Sequence, residues 1–105
     1  MKMQEGNVLY VRIDYKDGCA EETEQDAVDC MEYLQRVAEE RYLAAGLFGD
    51  MELGTMDGAM LIFEAGDYKE ASKIAEEDPI IARGFYKYKL HKWNVMLVQD
   101  GSEQQ

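Results

Sequence analysis

The only proline, the only histidine and the only tryptophan of the chain all fall in one stretch, "IAEEDPIIARGFYKYKLHKW", residues 74–93. Asp78 stands directly before Pro79, and Gly84 follows five positions after it. A carboxylate held in place at the rim of a pocket can serve as a general acid or base. The same residues also shape a backbone. Asp is a good helix N-cap, proline is favoured at the first helical position, and glycine suits the position after a helix end. The two readings are compatible, because a capping carboxylate has a fixed position.

Other side chains able to do chemistry are few. Cys19 and Cys30 lie eleven positions apart, in neither a zinc spacing nor a CxxC. With a single histidine, no metal site and no cofactor are expected. In a reducing compartment both thiols stay free. Cys30 lies within an apolar helical stripe, and a buried free cysteine behaves as a small hydrophobe. As a nucleophile it would suffer from a nearby carboxylate, which raises a thiol pKa. His91 alternates with Lys89 and Trp93, a pattern that fits a surface or rim position and leaves a pocket or interface role as the alternative. Trp93 suits a subunit interface, since indole combines a large apolar area with one donor. Arg12 has Tyr10 and Asp14 at i±2 on its own face of a strand. An inward Arg on a barrel-lining face could grip a carboxylate ligand with both arms of its fork. An ion pair with Asp14, or with an acidic group of a second subunit, is the plainer alternative.

These residues need elements to position them. Residues 7–15, "NVLYVRIDY", are rich in β-branched and aromatic types and partly alternate, which predicts a strand. "KDGC" then signals a turn. From residue 23 to about 41 the period becomes helical, with Ala27, Met31, Leu34 and Ala38 at i, i+4, i+7 and i+11, and with Cys30 and Val37 widening the stripe. Thr23 and Asp26 approximate a capping box, and the acidic residues around them suit a helix N-terminus. Residues 42–54 predict a short strand with glycine-marked ends and 58–67 another, joined by a hairpin centred on Asp57-Gly58. Asp67 caps a second helix with Glu70 three residues on and with Ala71, Ile74 and Ala75 inward. Residues 78–84 form a short extra turn, and 85–98 a last strand. The ends, 1–6 and 99–105, are expected to be flexible.

The order β-α-β-β-α-β is the ferredoxin-like arrangement, an α+β fold with a four-stranded antiparallel sheet and its helices on one face. One domain suits 105 residues. The uncovered face would expose Val, Tyr, Phe and Met side chains, a patch that calls for a second copy packed sheet to sheet. The net charge of −11, from 22 acidic and 11 basic residues, repels nucleic acid and anionic membranes. There is no run of about 18 apolar residues and no secretory leader pattern, so no membrane partner and a cytoplasmic location are expected.

The stretch "GAMLIFEAGDYKEASKIAEEDPIIARGFYKYKLHKWNV", together with "YLQRVAEERYLAAGLF", resembles the YCII-related (YciI-like) family. Its marks are the Asp-Pro-x-x-x-x-Gly element after a helix and a closing strand that ends in a Lys-Trp pair. The resemblance implies a ferredoxin-like fold paired into a dimeric α+β barrel. It also implies a small-molecule pocket, used by some members for lyase or dehalogenase chemistry. Its catalytic pair would be the Asp-Pro aspartate, Asp78 here, and a helix histidine whose position is Cys30 here. The arginine and proline usual in the family fall on Ala27 and Leu47. Three functions follow. One is a homodimeric protein binding a small polar or anionic metabolite near Asp78, with Cys30, Arg12 and His91 as candidate binding residues. The second is a lyase, isomerase or dehalogenase with Asp78 as acid/base. The third is a structural dimerisation module.

Overall fold

The computed structural model describes residues 8–16, 18 and 20–99. Cys19 and the ends expected to be flexible, apart from Gln99, lie outside the described residues. The elements run β1 (Val8–Tyr15), α1 (Glu24–Ala38), β2 (Leu43–Asp50), β3 (Thr55–Phe63), α2 (Tyr68–Glu77), α3 (Pro79–Ala82) and β4 (Lys87–Asn94). The four strands form one antiparallel sheet in the order β2-β3-β1-β4, the ferredoxin-like order. Among the described residues no helix is long and apolar enough to cross a membrane.

The pleat of β1 sorts its residues between two environments. On one face Tyr10, Arg12 and Asp14 are buried; on the other Leu9 is buried, Val11 and Ile13 are half-buried and Tyr15 is exposed. Across the ladder Arg12 stands opposite Leu61 and Leu90. The core gathers Tyr10, Leu61 and Phe63 from the sheet with Cys30 and Leu34 of α1, Ala71 and Ile74 of α2, and Ile80 of α3. The other face of the sheet carries Val11, Ile13, Met60 and Ile62 in its centre, with Tyr15, Phe48 and Trp93 exposed around them.

Three features differ from what the sequence predicts. The β2–β3 turn is not at Asp57-Gly58, which lies inside β3, but at residues 51–54. Asp50 Oδ1 accepts from the amides of Glu52 and Leu53 at 2.9 and 3.3 Å, and Gly54 takes φ +69°. An Asx turn on Asp50 closed by a left-handed glycine therefore outcompetes the Asp-Gly pair. The buried face of α1 is rotated from the expected stripe. Cys30 and Leu34 are buried with Tyr33 and Val37 packed beside them, while Ala27, Met31 and Ala38 are exposed. Position 33 decides this, because a tyrosine offers far more area to bury than an alanine. Finally, β4 begins at Lys87 and ends at Asn94. The amides of Phe85 and Tyr86 are still bonded to Ile80 O, both at 3.1 Å, so that turn must finish before a strand can start.

The capping pattern of both long helices follows the sequence. Thr23 and Asp26 form a full capping box at α1, and Asp67 Oδ1 accepts from Glu70 N at 2.8 Å at α2. Glu70 reaches one residue further back than expected, to Gly66 N, because it also pairs with Arg41.

Gly58 fixes the approach of β3 to β1. A Cβ built there would lie 2.8 Å from Asp14 O and 3.2 Å from a ring carbon of Phe48. Gly58→Ala is expected to destabilise the fold by about 1–3 kcal/mol, as overpacking does. A urea midpoint within error of the parent would show that the two strands have room to separate.

Candidate functional site

Asp78 is the junction of α2 and α3. It ends the first helix and caps the second, with its backbone extended at φ −66° and ψ 127° and with Pro79 in the first turn that follows. One carboxylate oxygen serves the turn, since Oδ1 accepts from Ile80 N at 3.2 Å. Gly84, at φ +82°, closes the short helix. The local sequence dictates this much, as both the N-cap and the left-handed exit have the residues they favour.

The other oxygen points into the protein. Asp78 Oδ2 accepts from Arg12 Nη2 at 2.8 Å and from the Cys30 thiol at 3.6 Å. Arg12 also grips Asp14 with two parallel bonds, Nε to Oδ1 at 2.8 Å and Nη2 to Oδ2 at 2.7 Å. Arg12 and Asp78 are 0% exposed and Asp14 1%, so the cluster lies beneath the helices and away from bulk water. Cys30, 9% exposed, forms its edge.

The electrostatics follow from this burial. Burial alone disfavours the Arg12 charge, but the hydrogen bonds and charges of Asp14 and Asp78 outweigh it and raise its pKa. Burial pushes the Cys30 thiol up to about 12, helped by the charge of Asp78 and by the hydrogen bond to it. Cys30 is therefore a neutral donor at neutral pH and not a thiolate nucleophile. Two carboxyl groups share one guanidinium, so the cluster holds more acidic than basic groups.

The raised thiol pKa gives a pH dependence of fixed sign. Below about pH 9 the Cys30 thiol is protonated in both folded and unfolded chains, and its contribution is intact. Between the ordinary value of 9.0 and about 12 the unfolded thiol ionises while the folded one keeps its proton. Stability then falls as pH rises. Urea midpoints for the parent and Cys30→Ala should converge as the pH is raised from about 8 to about 10.5. Parallel curves would mean that the thiol is not buried against Asp78.

The structure thus brings Asp78, Cys30 and Arg12 together and leaves His91 elsewhere. Arg12 faces the helices, not an open barrel-lining face. His91 is exposed on β4 opposite Val11, on the other face of the sheet. Asp14 is the group that sequence reasoning kept only as an ion-pair partner. Its spacing of two from Arg12 on a strand was the available signal. Arg83 was missed. It pairs with Asp26 at 2.7 Å and Asp29 at 2.8 Å, strapping α3 to the turn of α1 that leads into Cys30. Tyr33 likewise donates to Ile74 O at 2.8 Å and ties α1 to α2. Among the described residues no group of three or more His, Cys, Asp or Glu side chains could hold a metal ion.

Fold and cluster together define a ferredoxin-like α+β domain with a buried Asp-Pro carboxylate reaching the first helix and first strand. Residues 8–94 match the YCII-related domain, and the chain belongs to that family. Among solved structures it is similar to 5-chloro-2-hydroxyhydroquinone dehydrochlorinase (TftG) from Burkholderia phenoliruptrix AC1100, in complex with 2,5-dihydroxybenzoquinone. The TM-score is 0.52 at 22% identity, over 81% of this chain and 93% of that one. This likeness is one of fold. No curated protein matches the chain.

Proposed function

We propose that this chain is a cytoplasmic, homodimeric small-molecule protein whose site is centred on Asp78 and whose chemistry diverges from that of histidine-bearing relatives. Asp78 is the proton carrier. Arg12 holds it in place as a fixed cation, and Cys30 donates a hydrogen bond from the helix position where the resemblance would put a histidine. One observation carries the reading: Asp78 engages two groups far from its own turn, Arg12 and Cys30, at 2.8 and 3.6 Å. A residue present only to cap α3 needs neither contact. A lyase or dehydrochlorinase reaction is compatible with such a centre, since elimination of HCl requires a base to take a proton as chloride leaves.

The complete burial of Asp78 favours a second reading, an ionic staple with no ligand. A thermal-shift screen of small metabolites separates the two, because a ligand that binds the folded state raises its melting temperature. On the first reading at least one compound stabilises the parent and fails to stabilise Asp78→Asn. Identical hit profiles for the two proteins leave only the staple.

The dimer rests on the open sheet face, where Val11, Ile13, Met60 and Ile62 form an apolar centre that one chain leaves uncovered. Light scattering at micromolar concentration is expected to give twice the mass of 12.0 kDa. A monomer would remove the second copy from the proposal.

A further inference from the structure

Charge is unevenly spread along this chain. From Pro79 to Gln99 there is no aspartate or glutamate, although the protein carries 22 of them, and four of its 11 basic residues fall there. β4 lies within that segment and forms one edge of the sheet. Its pleat places Lys87, Lys89 and His91 on the face that the helices leave open, as partners of Tyr15, Ile13 and Val11. All three are exposed. Lys89 Nζ lies 5.7 Å from the centre of the Tyr15 ring, which holds its ammonium over this face.

The same rungs continue into apolar residues. Beyond Val11 and Ile13, β3 contributes Ile62 and Met60, and all four are half-buried. On the three rungs through Val11, Ile13 and Tyr15 no residue is acidic. Glu64 follows β3 past the last of these rungs, and its carboxylate accepts from Tyr42 N at 2.7 Å. The face is thus basic along β4 and apolar across β1 and β3, with no carboxylate of its own opposite the lysines.

A cation removed from water without a partner is strongly disfavoured. A second copy of this face brings the same lysines and the same lack of acid, so covering the face leaves the charge unanswered. A ligand that carries the missing negative charge answers it. Resting on the second copy proposed above, we infer that the open sheet face is a further binding site, on the opposite side of the sheet from Asp78, for a small monoanion with an apolar body, such as an alkyl carboxylate. Lys87 and Lys89 hold the carboxylate, with His91 as a further donor. The alkyl chain lies across Val11, Ile13, Met60 and Ile62. β3 is two strands from β4, roughly 10 Å, which leaves room for a chain of several carbons. The net charge of −11 selects against larger anions. A nucleic acid or an anionic membrane meets the field of the whole chain, whereas one carboxylate meets chiefly the nearest lysines.

The test uses the full-length protein and three probes of equal chain length with different heads: octanoate, octanol and octylammonium. Trp93 is the reporter, because it is the only tryptophan of the chain and stands on the same face, two residues beyond His91. Octanoate should change its fluorescence with a Kd at least about tenfold below that of octylammonium, with octanol between them. Added salt should narrow the gap. Lys87→Gln combined with Lys89→Gln, both at exposed positions, should remove most of the preference. Lys69→Gln combined with Lys73→Gln, exposed on α2, should leave it intact. An equal response to octylammonium, or a preference unchanged in the β4 double variant, overturns the inference and leaves the lysines as guards of an edge strand. Phosphatidylglycerol vesicles should not move the Trp93 signal, and a response to vesicles without one to octanoate also overturns it. Light scattering on the same samples keeps the two readings apart. A monomer that still prefers octanoate removes the second copy and keeps the anion site, whereas a dimer without the preference removes the anion site alone.

Discussion

Arg12→Met is expected to cost about 3–5 kcal/mol of stability, the usual penalty for removing one partner from a buried ion cluster. The reason is what stays behind, two buried carboxyl groups with no cation between them. Urea denaturation measures the loss, and a change under about 1 kcal/mol would mean that water reaches the cluster. The same argument predicts a rescue. Buried ion clusters replaced whole by apolar or neutral groups are often no less stable than the original. Adding Asp14→Leu and Asp78→Asn to Arg12→Met should therefore recover much of the loss.

Asp78 gives the second large effect, and two substitutions divide its roles. Asp78→Asn keeps the volume and the cap to Ile80 N but cannot carry a proton. Once a substrate is found, turnover should drop by roughly 10²-fold or more, the contribution of a positioned acid or base. The Arg12–Asp14 pair survives, but an amide that keeps its oxygen on Ile80 N turns its NH2 toward the Arg12 and Cys30 donors, so part of the stability is lost as well. Asp78→Ala removes the cap as well, worth about 1 kcal/mol, together with a buried partner of Arg12. It should be much the less stable of the two. Full activity in Asp78→Asn would take Asp78 out of the chemistry.

The legible part of this protein is its local part. Element order, three of the helix caps and the Asp78-Pro79 turn are written in short-range patterns, and the structure follows them. The hairpin falls elsewhere because two turn signals, Asp50…Gly54 and Asp57-Gly58, compete within nine residues, and the Asx turn on Asp50 with the left-handed Gly54 takes the turn. The stripe of α1 was rotated because alanines satisfy a helical period without requiring burial. In the site, the Arg12–Asp14 pair could be read from a spacing of two. The bond from Arg12 to Asp78 spans 66 positions, and no periodicity carries information over that distance. The resemblance marked Asp78 and Cys30 one by one, but neither shows in sequence that an arginine on β1 lies between them and Asp14.

That span of 66 positions also sets an order of events in the life of each molecule. On the ribosome, Arg12 and Asp14 emerge almost together, so the early chain already holds a balanced pair. Asp78 appears only after β1, α1, β2, β3 and α2 have been made, and β4, which completes the sheet beside β1, comes last. The cluster therefore cannot assemble until nearly the whole domain is available, and contacts so distant in sequence form slowly. A chain cut short before Asp78 would hold Arg12 and Asp14 but lack the residue that joins them from α2 and the strand that flanks them. Such fragments would expose the unfinished sheet to proteases and to one another.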